Sequence, residues 1–155
     1  MRQIISRREI VSDEWRYPGE AGAGPAVLSL AQLLAAPTVP AGTAVQLEPD
    51  EDIERLAPHL GNIALLVIHF PKNGEGRGFT QARMLRERYG YAGSMRASGP
   101  IKRDYLYLLA RCGFDSFDLA PGENLTSAVT ALDAFTVAYQ RGSDGLIAPR
   151  YRQIS

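Results

Sequence analysis

The sequence predicts an α/β fold of about four consecutive strand–helix units. They would share a parallel sheet, half-barrel-like or a small open sheet, with an accessory hairpin at the N-terminus. Three observations predict it. From residue 44 onward, short apolar runs alternate with amphipathic segments of helical period, the order that gives a parallel sheet with right-handed crossovers. Ile63 to Phe70 (IALLVIHF) is apolar on both parities, as a strand covered on both faces should be. Glycines then punctuate the helical stretches: Gly61 after the first, Gly90 and Gly93 after the second, Gly113 after the third. Four units fit either half of an eight-unit barrel or a small open sheet. In both, ligands bind at the carboxyl ends of the strands.

Ile4-Ile5 and Ile10-Val11 flank the charged turn Arg7-Arg8-Glu9, the pattern of a small hairpin. Tyr17 to Pro25 (YPGEAGAGP) is rich in glycine and proline and reads as a loop. Ser29 is placed to cap a short helix through Ala35, which Pro37 and Pro40 end. Residues 1–43 thus read as accessory, without recognisable chemistry. Ala44 to Leu47 is a short strand. Glu51 to Leu60 fits a helix with Ile53, Leu56, Ala57 and Leu60 on one face. After the apolar strand, the loop PKNGEGRG leads into a helix from about Phe79 to Tyr89. Ser94 to Ala97 is a strand and Ser98-Gly99 a turn. Pro100 stands where a first-turn proline is welcome, ahead of a helix from Ile101 to Cys112 with Tyr105, Leu108, Leu109 and Cys112 on one face. Ser116 to Ala120 is a strand, and Asn124 caps a helix from Leu125 to Phe135. The tail from Thr136 holds an expected edge strand, VAYQ, and a polar end at 141–155. The whole is read as one domain with its α/β core at 44–140.

Composition excludes several classes. A chain of 155 residues, 45% hydrophobic and 22% charged, is about one globular domain with enough apolar surface for a real core. Seventeen basic residues balance seventeen acidic ones, which argues against a dedicated nucleic-acid binder. The longest strongly apolar run, Ile63 to Ile68, is far short of the ~20 residues that span a bilayer. Nor does the charged start, MRQIISRREIVSDEW, resemble a signal peptide. The expected location is therefore cytoplasmic. A single cysteine, Cys112, leaves no internal disulfide and no cysteine-rich metal site. His59 and His69 lack metal-site spacing, so neither metal nor cofactor is expected.

Charge is unevenly placed. Between His69 and Asp115 stand Lys72, Arg77, Arg83, Arg86, Arg88, Arg96, Lys102, Arg103 and Arg111, opposed before Asp115 only by Glu75, Glu87 and Asp104. This asymmetry points to an anionic ligand or partner. In GEGRG, glycines permit close backbone approach, a helix start offers N–H groups, and Arg77 can clamp an oxyanion in two-pronged fashion. The loop lacks the Gly-Lys-Ser/Thr of a Walker site and the third glycine of a dinucleotide fingerprint. The competing reading is a tight connection in which Arg77 pairs with Glu75 or Asp104. Lys72, Gly76, Arg77, Gly78, Arg96 and Arg103 are the anion-binding candidates, with Arg77 and Arg96 expected to face one pocket. Arg83, Arg86 and Arg88 read mainly as solvated or paired with Glu87. His69, ending a buried strand, and Asp104 are weak acid–base candidates. Cys112 reads as a packed thiol rather than a nucleophile.

FP followed by GRGF, ARMLRERYGY, MRASG, IKRD and RCGFD, with the Pro49-Asp50 segment and the closing FTVAYQ, resembles the bacterial family called domain of unknown function 934. Two departures stand out. The family usually has Asp-Gly-Arg-Gly where this chain has Glu75-Gly76-Arg77-Gly78, and Arg-Asp-Gln where Tyr105 follows Asp104. The resemblance implies a gene neighbourhood of assimilatory sulfite or nitrite reductases, and members often carry an oxidoreductase label. The expectation is an accessory protein of sulfur assimilation that binds a small oxyanion or docks on a reductase through its arginine-rich edge. Its rivals are an enzyme on a small anionic substrate and a structural partner without ligand. No nucleic acid and no membrane are expected as partners. Open sheet edges add an expected homodimer, with Tyr105 and Tyr107 as contact candidates.

Overall fold

The computed structural model describes residues 2–71 and 76–142, with side chains described as far as residue 134. Its strands are β1 (Gln3–Ser6), β2 (Glu9–Ser12), β3 (Val27–Ser29), β4 (Thr43–Leu47), β5 (Ile63–His69), β6 (Ser94–Ile101) and β7 (Ser116–Leu119). Its helices are α1 (Leu30–Ala35), α2 (Gly76–Glu87), α3 (Leu106–Arg111) and α4 (Leu125–Gly142). All seven strands join one sheet in the order β2-β1-β7-β6-β5-β4-β3. From β3 to β7 each strand lies parallel to the next in sequence. β1 then runs antiparallel to β7, and β2 antiparallel to β1. The sheet is therefore mixed, not purely parallel as the sequence predicts.

Strand parity sorts the side chains. Val45, Leu47, Leu66, Ile68, Met95, Ala97, Phe117 and Ile5 point to one face. There they form the main core with Leu30 and Leu33 of α1, Ala82 and Leu85 of α2, Leu106 and Leu109 of α3, and Ala128 and Leu132 of α4. Five sequentially adjacent parallel strands with crossovers of one hand place every helix on one side. The opposite parity holds a smaller cluster, Val27, Ala44, Leu65 and Val67. No helix among the described residues covers it; instead the chain from Asp13 to Ala26 lies across it, with Tyr17 buried and Trp15 packed alongside. A bridge between Arg16 and Ala26 ties the ends of this strap.

Several elements depart from expectation, each for a local reason. Residues before 44 supply three of the strands and the strap, so this third is built into the sheet. The segment Glu51–Leu60 forms two 3-10 turns, Ile53–Arg55 and Ala57–Asn62, rather than an α-helix. Pro58 and Gly61 leave too little chain between them for α-helical hydrogen bonding. β6 runs through Ser98 and Pro100 to Ile101, with a register shift against β7 between Ala97 and Ile101. The irregularity allows proline inside a strand. Gly99 has φ of 111° within it, and a Cβ there would collide with the Phe70 carbonyl. The following helix begins as a 3-10 turn at Arg103–Tyr105. VAYQ is helical, inside α4, and not an edge strand. The hairpin forms as expected, with Arg7 and Arg8 at φ of 52° and 68°. So does the cap of α1: Ser29 Oγ accepts from the Gln32 N–H, while Gln32 Oε1 accepts from the Ser29 N–H.

Candidate functional site

The helix-free face carries rows of side chains set by register. Gln46, Val67, Arg96 and Ser116 lie side by side on β4 to β7. Arg96 is buried and bonded through Nε and Nη1. Its Nη1 donates to Tyr17 Oη at 2.7 Å and pairs with Asp13 Oδ1 at 3.2 Å; its Nε donates to Ser116 Oγ at 2.8 Å. Tyr17 Oη donates to Asp13 Oδ2 at 2.7 Å, and Ser116 Oγ donates to the Ile5 carbonyl. Burial holds the Tyr17 hydroxyl well above its usual range, so it stays a proton donor to Asp13. Arg2 reaches in from outside, between Glu20 at 2.6 Å, Asp13 at 3.6 Å and Asp118 at 3.7 Å. Burial raises the Asp118 carboxyl above the ordinary aspartate value, and Arg2 opposes that rise.

One row further along, at the carboxyl ends of the strands, stand Glu48, His69 and Ser98. Leu47 pairs with Ile68 and His69 with Ser98, so the three follow one another across β4, β5 and β6. Glu48 Oε1 lies 2.8 Å from His69 Nδ1, and Glu48 Oε2 accepts from Gln46 Nε2 at 2.9 Å. The backbone N–H of Glu48 is held in turn by Glu51 Oε1 at 2.8 Å. His69 thus has a carboxylate partner that no sequence periodicity connects to it. Ser98 is buried and makes no side-chain hydrogen bond among the described residues.

On the helical side, α2 starts close against β5. A Cβ at Gly78 would strike the Phe70 ring, so glycine lets the first turn approach the strand end. Beside this turn is an open cavity of about 620 Å³ lined by Glu51, Asp52, Glu54, Gly76, Arg77 and Gln81. Three carboxylates in one wall oppose a free anion there. Lys72 lies outside the described residues. Arg77 belongs to this helical side and Arg96 to the helix-free face, so the structure does not bring them together in one pocket. Arg103 is exposed: its N–H donates to Glu123 and its guanidinium to Ser127 of α4. Asp104 is exposed on the same 3-10 turn. Arg86 is buried rather than solvated; it donates to the carbonyls of Tyr91, Gly93 and Gly113.

The remaining cations form an outer surface. Between Gly76 and Cys112, Arg77, Arg83, Arg88, Lys102, Arg103 and Arg111 are exposed, against the carboxylates of Glu87 and Asp104. Arg83 pairs with Glu87 at 3.6 Å, Arg88 stacks on Tyr89 and Arg111 on Tyr107. Leu108 stands among them, 47% exposed. Cys112 sits where α2 and α3 meet. Its thiol is pushed up by burial, with Arg83 and Arg111 drawing it back, which fits a packed thiol. Among the described residues no group of three or more metal-ligating side chains gathers, and no helix is long and apolar enough to cross a membrane.

With this geometry in hand, comparison with protein families is decisive on one point. The model of a bacterial protein family of unknown function, DUF934, matches residues 44–148. The chain belongs to the DUF934 family. The match opens at β4, so the family region carries Glu48, His69, Arg96, Ser98 and the whole basic surface, while Asp13 and Tyr17, which hold Arg96, precede it. Among curated proteins the chain finds no match. Sequence reasoning missed Asp13, Tyr17, Glu48 and Ser98. The one available signal was polar residues on the same parity as Ala44, Leu65 and Val67, repeated at each strand end.

Proposed function

We propose that this DUF934 protein is an accessory protein that docks onto an acidic protein partner through the outer face of α2 and α3. The observation that carries it is the exposed Arg83, Arg88 and Arg111 on the α2–α3 side that also exposes Leu108, with Glu87 as the carboxylate among them. An apolar contact ringed by like charges suits a polar-rimmed interface, with the charges steering encounter. Buried Arg86 and Arg96 are engaged in holding the fold and take no part in this surface. The partner implied by the family resemblance is an assimilatory sulfite or nitrite reductase. Small-oxyanion binding is the weaker arm of the reading, because Arg77 shares its cavity with Glu51, Asp52 and Glu54.

The test is a binding titration with purified sulfite reductase at two ionic strengths. Saturable binding that weakens with salt, and that is lost in an Arg83→Glu, Arg88→Glu, Arg111→Glu variant, is the expected result. Binding that the triple variant leaves intact would reject this face. Sulfite titrated in parallel should leave the amide spectrum around Gly76 to Gly78 unmoved; saturable shifts there would restore the oxyanion arm.

A further inference from the structure

The row at the strand ends has no part in docking on the opposite side of the sheet, yet its chemistry is ordered. We propose that Glu48, His69 and Ser98 form a nucleophilic site that hydrolyses small carboxylic esters. Three adjacent parallel strands deliver a carboxylate, an imidazole and a hydroxyl in that order, on one face, at the end where parallel sheets place their ligands. Neighbouring strands lie about 4.8 Å apart, so His69 and Ser98, paired in register, are within reach of each other. The Glu48–Nδ1 contact of 2.8 Å fixes the ring. With the proton on Nδ1, Nε2 is the nitrogen left to accept one; Ser98 and His69 are joined here by backbone register and not by a side-chain hydrogen bond, so the substrate must draw the hydroxyl and the ring together. Gln46 holds the second carboxylate oxygen and keeps Glu48 from turning elsewhere.

Ser98 differs from its polar neighbours on this face. Gln46, Glu48, His69, Arg96 and Ser116 all have side-chain partners, whereas the Ser98 hydroxyl has none among the described residues. The next residue, Gly99, adopts φ of 111° in the irregular part of β6, a local distortion of the kind that presents a nucleophile at a strand end. Burial of Ser98, at 7% exposure, limits the substrate to a small acyl group.

In the reaction Ser98 Oγ bonds to the ester carbonyl carbon as its proton passes to His69 Nε2. The carbon–oxygen bond to the alcohol then breaks, and His69 returns the proton to the departing alcohol. Water attacks the acyl-serine in the same way, giving up a proton through His69, and Ser98 regains its hydrogen as the carboxylic acid leaves. Ser98 and His69 are the catalytic residues; Glu48 and Gln46 position the imidazole.

The test uses the full chain and a small alkyl fluorophosphonate. Serine oxygen displaces fluoride from phosphorus and the proton leaves through His69, so no ester substrate need be known. Peptide mass mapping should place the adduct on Ser98. His69→Gln should slow labelling about a hundredfold, the usual scale for a lost general base. Glu48→Gln should slow it and shift the pH at which the rate is half-maximal, while Glu48→Asp restores part of the rate; a merely structural carboxylate would leave that profile in place. No adduct on the wild-type chain, an adduct on another residue, or unchanged labelling of folded His69→Gln would overturn the proposal.

Discussion

Arg96 shows at the scale of one residue why a strand-end cation need not be a ligand-binding one. Its side chain is 7% exposed and that of Asp13 1%. Removing Arg96 leaves Asp13 with the Tyr17 hydroxyl, the Trp15 backbone N–H and the longer Arg2 contact, which puts the cost near the lower end of the usual range for a broken buried pair, about 3 kcal/mol. Arg96→Met should therefore lower the urea denaturation free energy by that amount; a loss below about 1 kcal/mol would show that the strap does not hold Asp13 in place. Asp118 makes a pH prediction. Its folded carboxyl is raised by burial, so the folded chain holds that proton more tightly than the unfolded one. Stability then falls as pH rises from the ordinary aspartate value towards the raised one, and stays lower above it. Asp118→Asn should flatten this part of the stability–pH curve and make the variant the more stable at neutral pH, measured by thermal melting across the acid range. Cys112, half-buried with a raised pKa, should react slowly with iodoacetamide until the chain unfolds. The sequence marked Arg96 as a cation at a strand end. Its partners lie 79 and 83 positions away, and helical or strand periodicity carries no information over that span.

Elements were legible where local rules decide them. The capping box at Ser29 and the turn at Arg7-Arg8 were both readable, because cap and hairpin chemistry act over three or four residues. The long β6 was not readable. Proline inside a strand violates the local rule, and it is tolerated only through the register shift against β7. Likewise α4 continues where a strand was expected, since an isolated VAYQ has no alternation long enough to outweigh helix propagation. The hairpin offers a test of element energetics. Arg7 and Arg8 both hold positive φ, a conformation that Asn and Gly adopt at lower cost. Replacing Arg7-Arg8 with Asn-Gly should raise stability by about 1 kcal/mol, read from the denaturant midpoint. The Arg8–Asp133 pair lost in the exchange is exposed on both sides, at 3.8 Å, and exposed pairs contribute little. An unchanged or lower midpoint would mean that the turn is not limiting.

For the whole molecule, charge distribution decides how copies meet. The sheet has two edges, β2 and β3. β3 is three residues long and β2 is flanked by the charged Arg7-Arg8 turn, so neither offers a long flat edge for pairing. A homodimer would then use the surface of α3 around Tyr107 and Leu108. There two copies bring together the exposed Arg83, Arg88 and Arg111 of each, with Glu87 as the carboxylate among them. Self-association through that face is opposed by repulsion, and salt relieves the repulsion within a Debye length of about 10 Å at 0.1 M. Docking on an acidic partner responds to salt in the opposite sense, since screening weakens attraction. Light scattering should thus give a mass near 16.9 kDa at low ionic strength, with any dimer growing only as salt is added and disappearing in Leu108→Glu. A dimer that is complete at low salt and survives Leu108→Glu would place the self-contact elsewhere, and would leave the basic face open to a partner even in the assembled form.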